Sequence, residues 1–135
     1  MASPVAPEAG SVSKVECLVK VRGGAEARIS LYRHLAPLTV NALLRALPLY
    51  GRTSIQPAMV CIFTDLRVGV EKPRTKFAKG DVALLASGGL VCVFLGDAAS
   101  ERPLNPVGKV EAGIEVFERL RLGDSLQISQ AEVAQ

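Results

Sequence analysis

With a single histidine, His34, and three cysteines that never fall into a Cys-x-x-Cys pair, this 135-residue chain lacks the ligand set of a structural zinc site. The same scarcity argues against a histidine-driven nucleophile. His34 has no Ser or Cys partner in a motif context, and beside a helix start it reads as a cap or a surface residue. Neither a glycine-rich phosphate loop nor a carboxylate pair stands out, and Gly23-Gly24 and Gly88-Gly89 read as turns. Neither a metal nor a cofactor is expected. Apolar residues make up 49% of the chain, yet no uninterrupted run approaches the ~18 residues of a membrane span, so no membrane partner is expected. Aromatic residues are also sparse. The one basic stretch, with Arg67, Lys72, Arg74, Lys76 and Lys79, offers only Phe77 for stacking, whereas single-strand binders interleave several aromatics. Asp65, Glu71 and Asp81 dilute its charge, so it reads as a solvated loop rather than a nucleic-acid site.

What is present is enough apolar sequence for one ordinary domain with its own core. Residues 1–13, rich in Ala, Ser, Pro and Val, have neither a basic n-region nor an apolar h-region. They read as a loose tail ahead of a domain over 14–130, with a second short tail at 131–135. A soluble cytoplasmic protein is the default expectation. The three cysteines, Cys17, Cys61 and Cys92, each sit in a β-like apolar run and read as buried free thiols acting as small hydrophobes.

Lys14 to Arg22 places Val15, Cys17, Val19 and Val21 at period two, a half-buried strand. Gly23-Gly24 turns the chain, and Ala27, Ile29 and Leu31 alternate in a second strand, giving an N-terminal hairpin. Pro37 then opens a helix with an apolar stripe at Leu38, Ala42, Leu43, Ala46 and Leu47, and Pro48 stops it. Met59 to Phe63 is a continuous apolar run, as in a strand covered on both faces. Val82 to Leu85 and Leu90 to Leu95 flank Gly88-Gly89 as a second hairpin. Gly96 to Pro106 reads as a loop, Glu111 to Arg121 as a helix with Val110, Ile114, Phe117 and Leu120 on one face, and Ser125 to Ser129 as a closing strand. Many short strands with two helices predict a mainly β protein, a closed antiparallel barrel with two short helices capping its ends. A barrel this small can dimerise through any uncovered strand edge.

Specific segments narrow the fold. Pro106 to Glu118, with Gly108, Lys109, Val110, Gly113 and Val116 in register, resembles the C-terminal signature of the cyclophilins. Ala27 to Leu47 is similar to their N-terminal strand–helix unit, with Pro37 and Asn41 in the places of that family's proline and helix asparagine. The ordered set Ala46-Leu47-Pro48, Gly80-Asp81-Val82, Cys92-Val93-Phe94-Leu95-Gly96 and Gly108-Lys109-Val110 resembles more closely a small prokaryotic family of minimal cyclophilin-like proteins. The resemblance implies a cyclophilin-like barrel and little chemistry.

In cyclophilins a hydrogen-bond donor to the prolyl nitrogen lowers the barrier set by amide resonance, while an apolar pocket holds the ring. Tyr50-Gly51-Arg52 lies where that family has Phe-His-Arg, so the resemblance makes Arg52 the candidate catalytic donor. The other groove residues depart from the pattern. Pro57 and Val60 stand where Phe and Gln are expected, Ala86-Ser87 matches an Ala-Asn step only in part, and no aromatic or histidine lies between Gly96 and Gly108. The reading that follows is a binding module for a peptide or small molecule, with Met59, Ser87, Phe94, Arg102 and Asn105 around an apolar cleft near Arg52. The alternative is a weak peptidyl-prolyl cis-trans isomerase using Arg52.

Overall fold

In the computed structural model, residues 14–131 are described. The expected tail at 1–13 and most of that at 131–135 lie outside them. The elements in chain order are β1 (Lys14–Val21), β2 (Glu26–Tyr32), α1 (Pro37–Ala46), β3 (Leu49–Gln56), β4 (Met59–Phe63), β5 (Arg74–Phe77), β6 (Asp81–Leu85), β7 (Leu90–Phe94), β8 (Ala98–Ala112), α2 (Ile114–Glu118) and β9 (Ser125–Gln130).

All pairings between strands are antiparallel, in the order β2-β1-β9-β3-β4-β7-β6-β8, and a β2–β8 pairing joins the two ends of that series. Eight strands therefore close a barrel, and β5 is laid onto the first half of β8 outside the ring. Closure removes the unpaired edges that an open sheet of this size would present. β5, at the end of the strand order, carries Arg74 and Lys76, charges that discourage edge-to-edge pairing.

The interior is filled by alternate residues of the ring, among them Cys17, Val19, Ile29, Leu31, Val60, Ile62, Val82, Leu84, Val91, Val93, Leu126 and Ile128. Val40 and Leu43 of α1, Phe117 of α2 and the following Leu120 add to the same cluster. The stripe on α1 is thus rotated from the one read in the sequence, because Val40 is buried and Leu38 is 75% exposed. Leu38 is turned outward by the way the helix start is held. Ala36 cannot cap with its side chain, and the carboxylate of Glu71 takes that role, accepting from the Leu38 N–H (3.0 Å), the Thr39 N–H (2.7 Å) and the Thr39 hydroxyl (2.7 Å).

Two further differences trace to β8, a strand of 15 residues where the sequence suggests a Pro-containing loop, a short strand from Pro106 and then the start of a helix. The prolines sit at breaks in the ladder. The β6–β8 register shifts between Val82, opposite Gly108, and Ala83, opposite Pro106. Downstream, pairing with β2 holds the chain extended through Ala112, so α2 shrinks to five residues. The strands β3 and β5 carry no clear apolar alternation in sequence; both form because their neighbours supply the ladder.

The two glycine motifs meet in adjacent strands. Asp81 lies opposite Lys109 and Val82 opposite Gly108, the Val110 N–H donates to the Gly80 carbonyl (2.7 Å), and Lys109 Nζ stands 4.0 Å from Asp81 Oδ1. The two motifs thus meet at one seam of the barrel, between β6 and β8.

Candidate cleft on the outer face of the barrel

A second apolar layer lies outside the ring. Strand register aligns the outward residues of β3, β4, β7 and β6 in rows: Gln56, Met59 and Phe94; then Ser54, Cys61, Cys92 and Ala83; then Arg52, Phe63, Leu90 and Leu85. β5 and the first half of β8 cover part of this surface. Phe77 stacks on Phe94 with ring centroids 4.6 Å apart, and the Arg74 guanidinium lies 5.3 Å above Phe77. Leu104 closes the same cluster.

Between that cover and the sheet lies a cleft of about 450 Å³. Met59, Cys61, Leu85, Leu90 and Cys92 line its apolar floor, Gln56 and Pro57 one side, and Ser100, Glu101 and Arg102 the other. The polar side exists because β8 bulges there: Arg74 pairs with Leu104 and Lys76 with Ala99, so the intervening residues of β8 are looped out of register. The Arg102 N–H donates to Ser100 Oγ (3.3 Å) and closes the bulge. The Arg102 guanidinium and the Glu101 carboxylate have no ion-pair partner among the described residues.

Of the residues singled out in the sequence, Met59 and Arg102 line this cleft. Phe94 lies beside Met59 in register but is 1% exposed, held beneath β5 by Phe77. Ser87 is in the β6–β7 turn, beyond the last row, and Arg52 stands exposed beside Phe63 on the same outer face, outside the lining. Asn105 is buried away from the cleft. Its Oδ1 accepts from the Glu71 N–H (2.9 Å), and its Nδ2 donates to Thr39 Oγ1 (3.0 Å) and to the Gly69 carbonyl (2.8 Å). Asn105 therefore supports the carboxylate that caps α1. Burial raises the Glu71 pKa, but the hydrogen bonds from Leu38 and Thr39 and the charge of Lys72 outweigh it and leave the group below the usual carboxylate range.

The basic stretch is dispersed. Arg74 covers Phe77, Lys79 faces Glu118 at 3.7 Å, Lys72 donates to the His34 carbonyl, and Arg67 donates to the Leu66 carbonyl. Among the described residues no three His, Cys, Asp or Glu side chains gather as metal ligands, and no helix is long and apolar enough to cross a membrane.

Sequence reading missed Cys61 and Cys92 as neighbours. Each occupies the centre of a five-residue apolar strand, and central residues meet when such strands pair, but β5 and β6 lie between them in sequence. Glu101 was likewise hidden in what reads as a loop.

No family model and no curated protein sequence matches the chain. Among solved structures it resembles the solution structure of the hypothetical protein AF2241 from Archaeoglobus fulgidus, at 21% identity and a TM-score of 0.74, over 88% of this chain and 96% of that one. It also resembles McbB, solved in complex with tryptophan, at 13% identity and a TM-score of 0.73, over 88% of this chain and 46% of McbB. At these identities the likeness is one of fold: a closed antiparallel barrel shared with a protein about twice as long and with one of matching length.

Proposed function

We propose that the chain is a ligand-binding barrel whose site is the outer cleft, and that its ligand is a small molecule or peptide end with an apolar body and a zwitterionic or anionic head. The observation that carries this reading is the pairing of an apolar floor with the unpartnered Arg102 and Glu101 on one rim. A body seated on Met59, Leu85 and Leu90 would present a carboxylate to Arg102 and an ammonium to Glu101. That a neighbour of the same fold is solved with tryptophan makes an apolar amino acid the first probe.

The chain contains no tryptophan, so the indole emission of added L-tryptophan can be followed without protein background. Saturable change in emission anisotropy is expected with the wild type. In Arg102→Ala the affinity should fall by about ten- to a hundredfold, the loss of one charge-assisted contact. Arg102 is exposed, so the fold should be untouched. Unchanged anisotropy up to the solubility of the amino acid would sink the amino-acid reading.

A finer reading places the barrel with the minimal cyclophilin-like proteins, on the ordered motifs described above. Under it, a weak peptidyl-prolyl isomerase activity would use Arg52, which shares the outer face with the cleft and has no side-chain partner among the described residues. A protease-coupled assay on an X-Pro peptide should then show activity that falls at least about tenfold in Arg52→Ala, the loss of one transition-state donor. A wild-type rate equal to the uncatalysed one removes this activity and leaves the binding reading standing.

A further inference from the structure

The floor of the cleft holds two thiols that the proposed binding function does not use. Cys61 and Cys92 stand directly opposite each other on β4 and β7, with their sulfurs 3.0 Å apart. Residues so paired in an antiparallel sheet have Cα atoms about 4.5–5.5 Å apart, inside the roughly 4.4–6.8 Å range that a disulfide spans. Both are free thiols here. Both also line a cleft large enough for small solutes, although they are only 1% and 2% exposed. Hydrogen peroxide is small enough to enter that cleft.

We propose that Cys61 and Cys92 are a reversible dithiol–disulfide pair, oxidised by hydrogen peroxide that enters the cleft. The proposal goes beyond ligand binding and does not depend on it.

The two sulfurs are not equivalent. The hydrogen bond from Cys92 holds the Cys61 thiol below its usual range in spite of burial. That same hydrogen bond, with burial, pushes the Cys92 thiol up. Cys61 is the attacking thiolate and Cys92 the resolving thiol, the direction that hydrogen bond favours when Cys92 donates it. In the first step the Cys61 sulfur attacks one peroxide oxygen. An S–O bond forms, the O–O bond breaks, and the departing hydroxide takes a proton to leave as water. In the second the Cys92 sulfur attacks the Cys61 sulfur of the sulfenic acid; the S–S bond forms, the S–O bond breaks, and hydroxide leaves with the Cys92 proton as a second water. Two electrons pass from the thiols to one peroxide, and a dithiol reductant returns them.

Cys17 is the internal control. It lies in the barrel interior at 0% exposure, and burial pushes its thiol up to about 11. It has no partner sulfur and does not line the cleft, and should remain reduced.

The test treats the folded wild-type chain with hydrogen peroxide, removes the oxidant, unfolds the protein and alkylates it with N-ethylmaleimide before mass analysis. One of the three cysteines should alkylate, the intact mass should be that of the singly alkylated chain less two hydrogen atoms, and the peptide holding Cys61 should be joined to that holding Cys92. A phosphine reductant should restore all three. Cys17→Ser should leave the bridge unchanged, while Cys61→Ser should block it. Three alkylatable thiols after treatment would overturn the proposal, as would a bridge through Cys17, a bridge between chains, or Cys61 oxidised to sulfinic acid without a bridge. The wild-type readouts need no variant to fold.

Discussion

Asn105→Ala should lower the unfolding free energy by about 3–5 kcal/mol, because one side chain makes three hydrogen bonds that hold a helix, a loop and a strand together. Net, each such bond is worth roughly 0.5–1.5 kcal/mol, and the remainder comes from partners left unpaired where water reaches poorly. The Glu71 N–H loses its acceptor, and Thr39 Oγ1 and the Gly69 carbonyl lose their donor. The damage then spreads to the start of α1, whose capping carboxylate is oriented by this backbone. Thermal unfolding should show a drop of at least about 10 °C. Asn105→Asp should also destabilise, since it removes both donations from Nδ2 and sets a negative charge beside the Glu71 loop. A shift of under about 2 °C for the alanine variant would mean that the network contributes nothing net. Arg102→Ala, exposed on the rim of the cleft, should stay within about 0.5 kcal/mol of wild type and so separates binding from folding.

Gly108→Ala should cost about 3 kcal/mol or more, by forcing apart the strand pair that closes the barrel. A Cβ at residue 108 would overlap the Ser30 carbonyl oxygen and lie 3.0 Å from the Leu31 Cα, with backbone on the far side that cannot rotate away. Residue 108 faces Leu31 across the β2–β8 seam and Val82 across β6–β8, so the strain falls on both ladders of β8. Amide exchange should rise first along Ile29–Leu31 and 108–110, while β4 and β7 keep their protection. Gly96→Ala is the matched control: nothing lies within 4 Å of the added carbon, and the expected change is within about 0.5 kcal/mol. Equal effects of the two substitutions, or early loss of protection in β4, would show that the seam is not where the barrel is held shut.

These two residues also mark how far the sequence was legible. Gly108 stood out as part of a motif, and the structure gives that motif a physical reason, the close approach of β8 to β2. Asn105 stood out only as a polar residue in a Pro-containing loop, where a ligand contact was the natural reading. Its partners, Thr39, Gly69 and Glu71, are remote in sequence, and local pattern carries no trace of them. The cap of α1 is hidden for the same reason: Ala36 offers no side chain, and the carboxylate that substitutes comes from Glu71.

By itself the sequence determined the local periodicities: period two in β1, β2 and β9, continuous apolar runs in β4, β6 and β7, and glycines at the turns and at the seam. Those patterns follow from which faces each segment must bury, and they suffice for a mainly β barrel with two helices. The order of strands around the ring was decided only by tertiary structure, because register across a sheet depends on every neighbour at once. That order brings Cys61 against Cys92, turns a proline-bearing segment into β8, and lets three extra residues of that strand bulge outward with Arg102 among them. The cleft is therefore a product of long-range pairing, and local sequence could name its residues without placing them together.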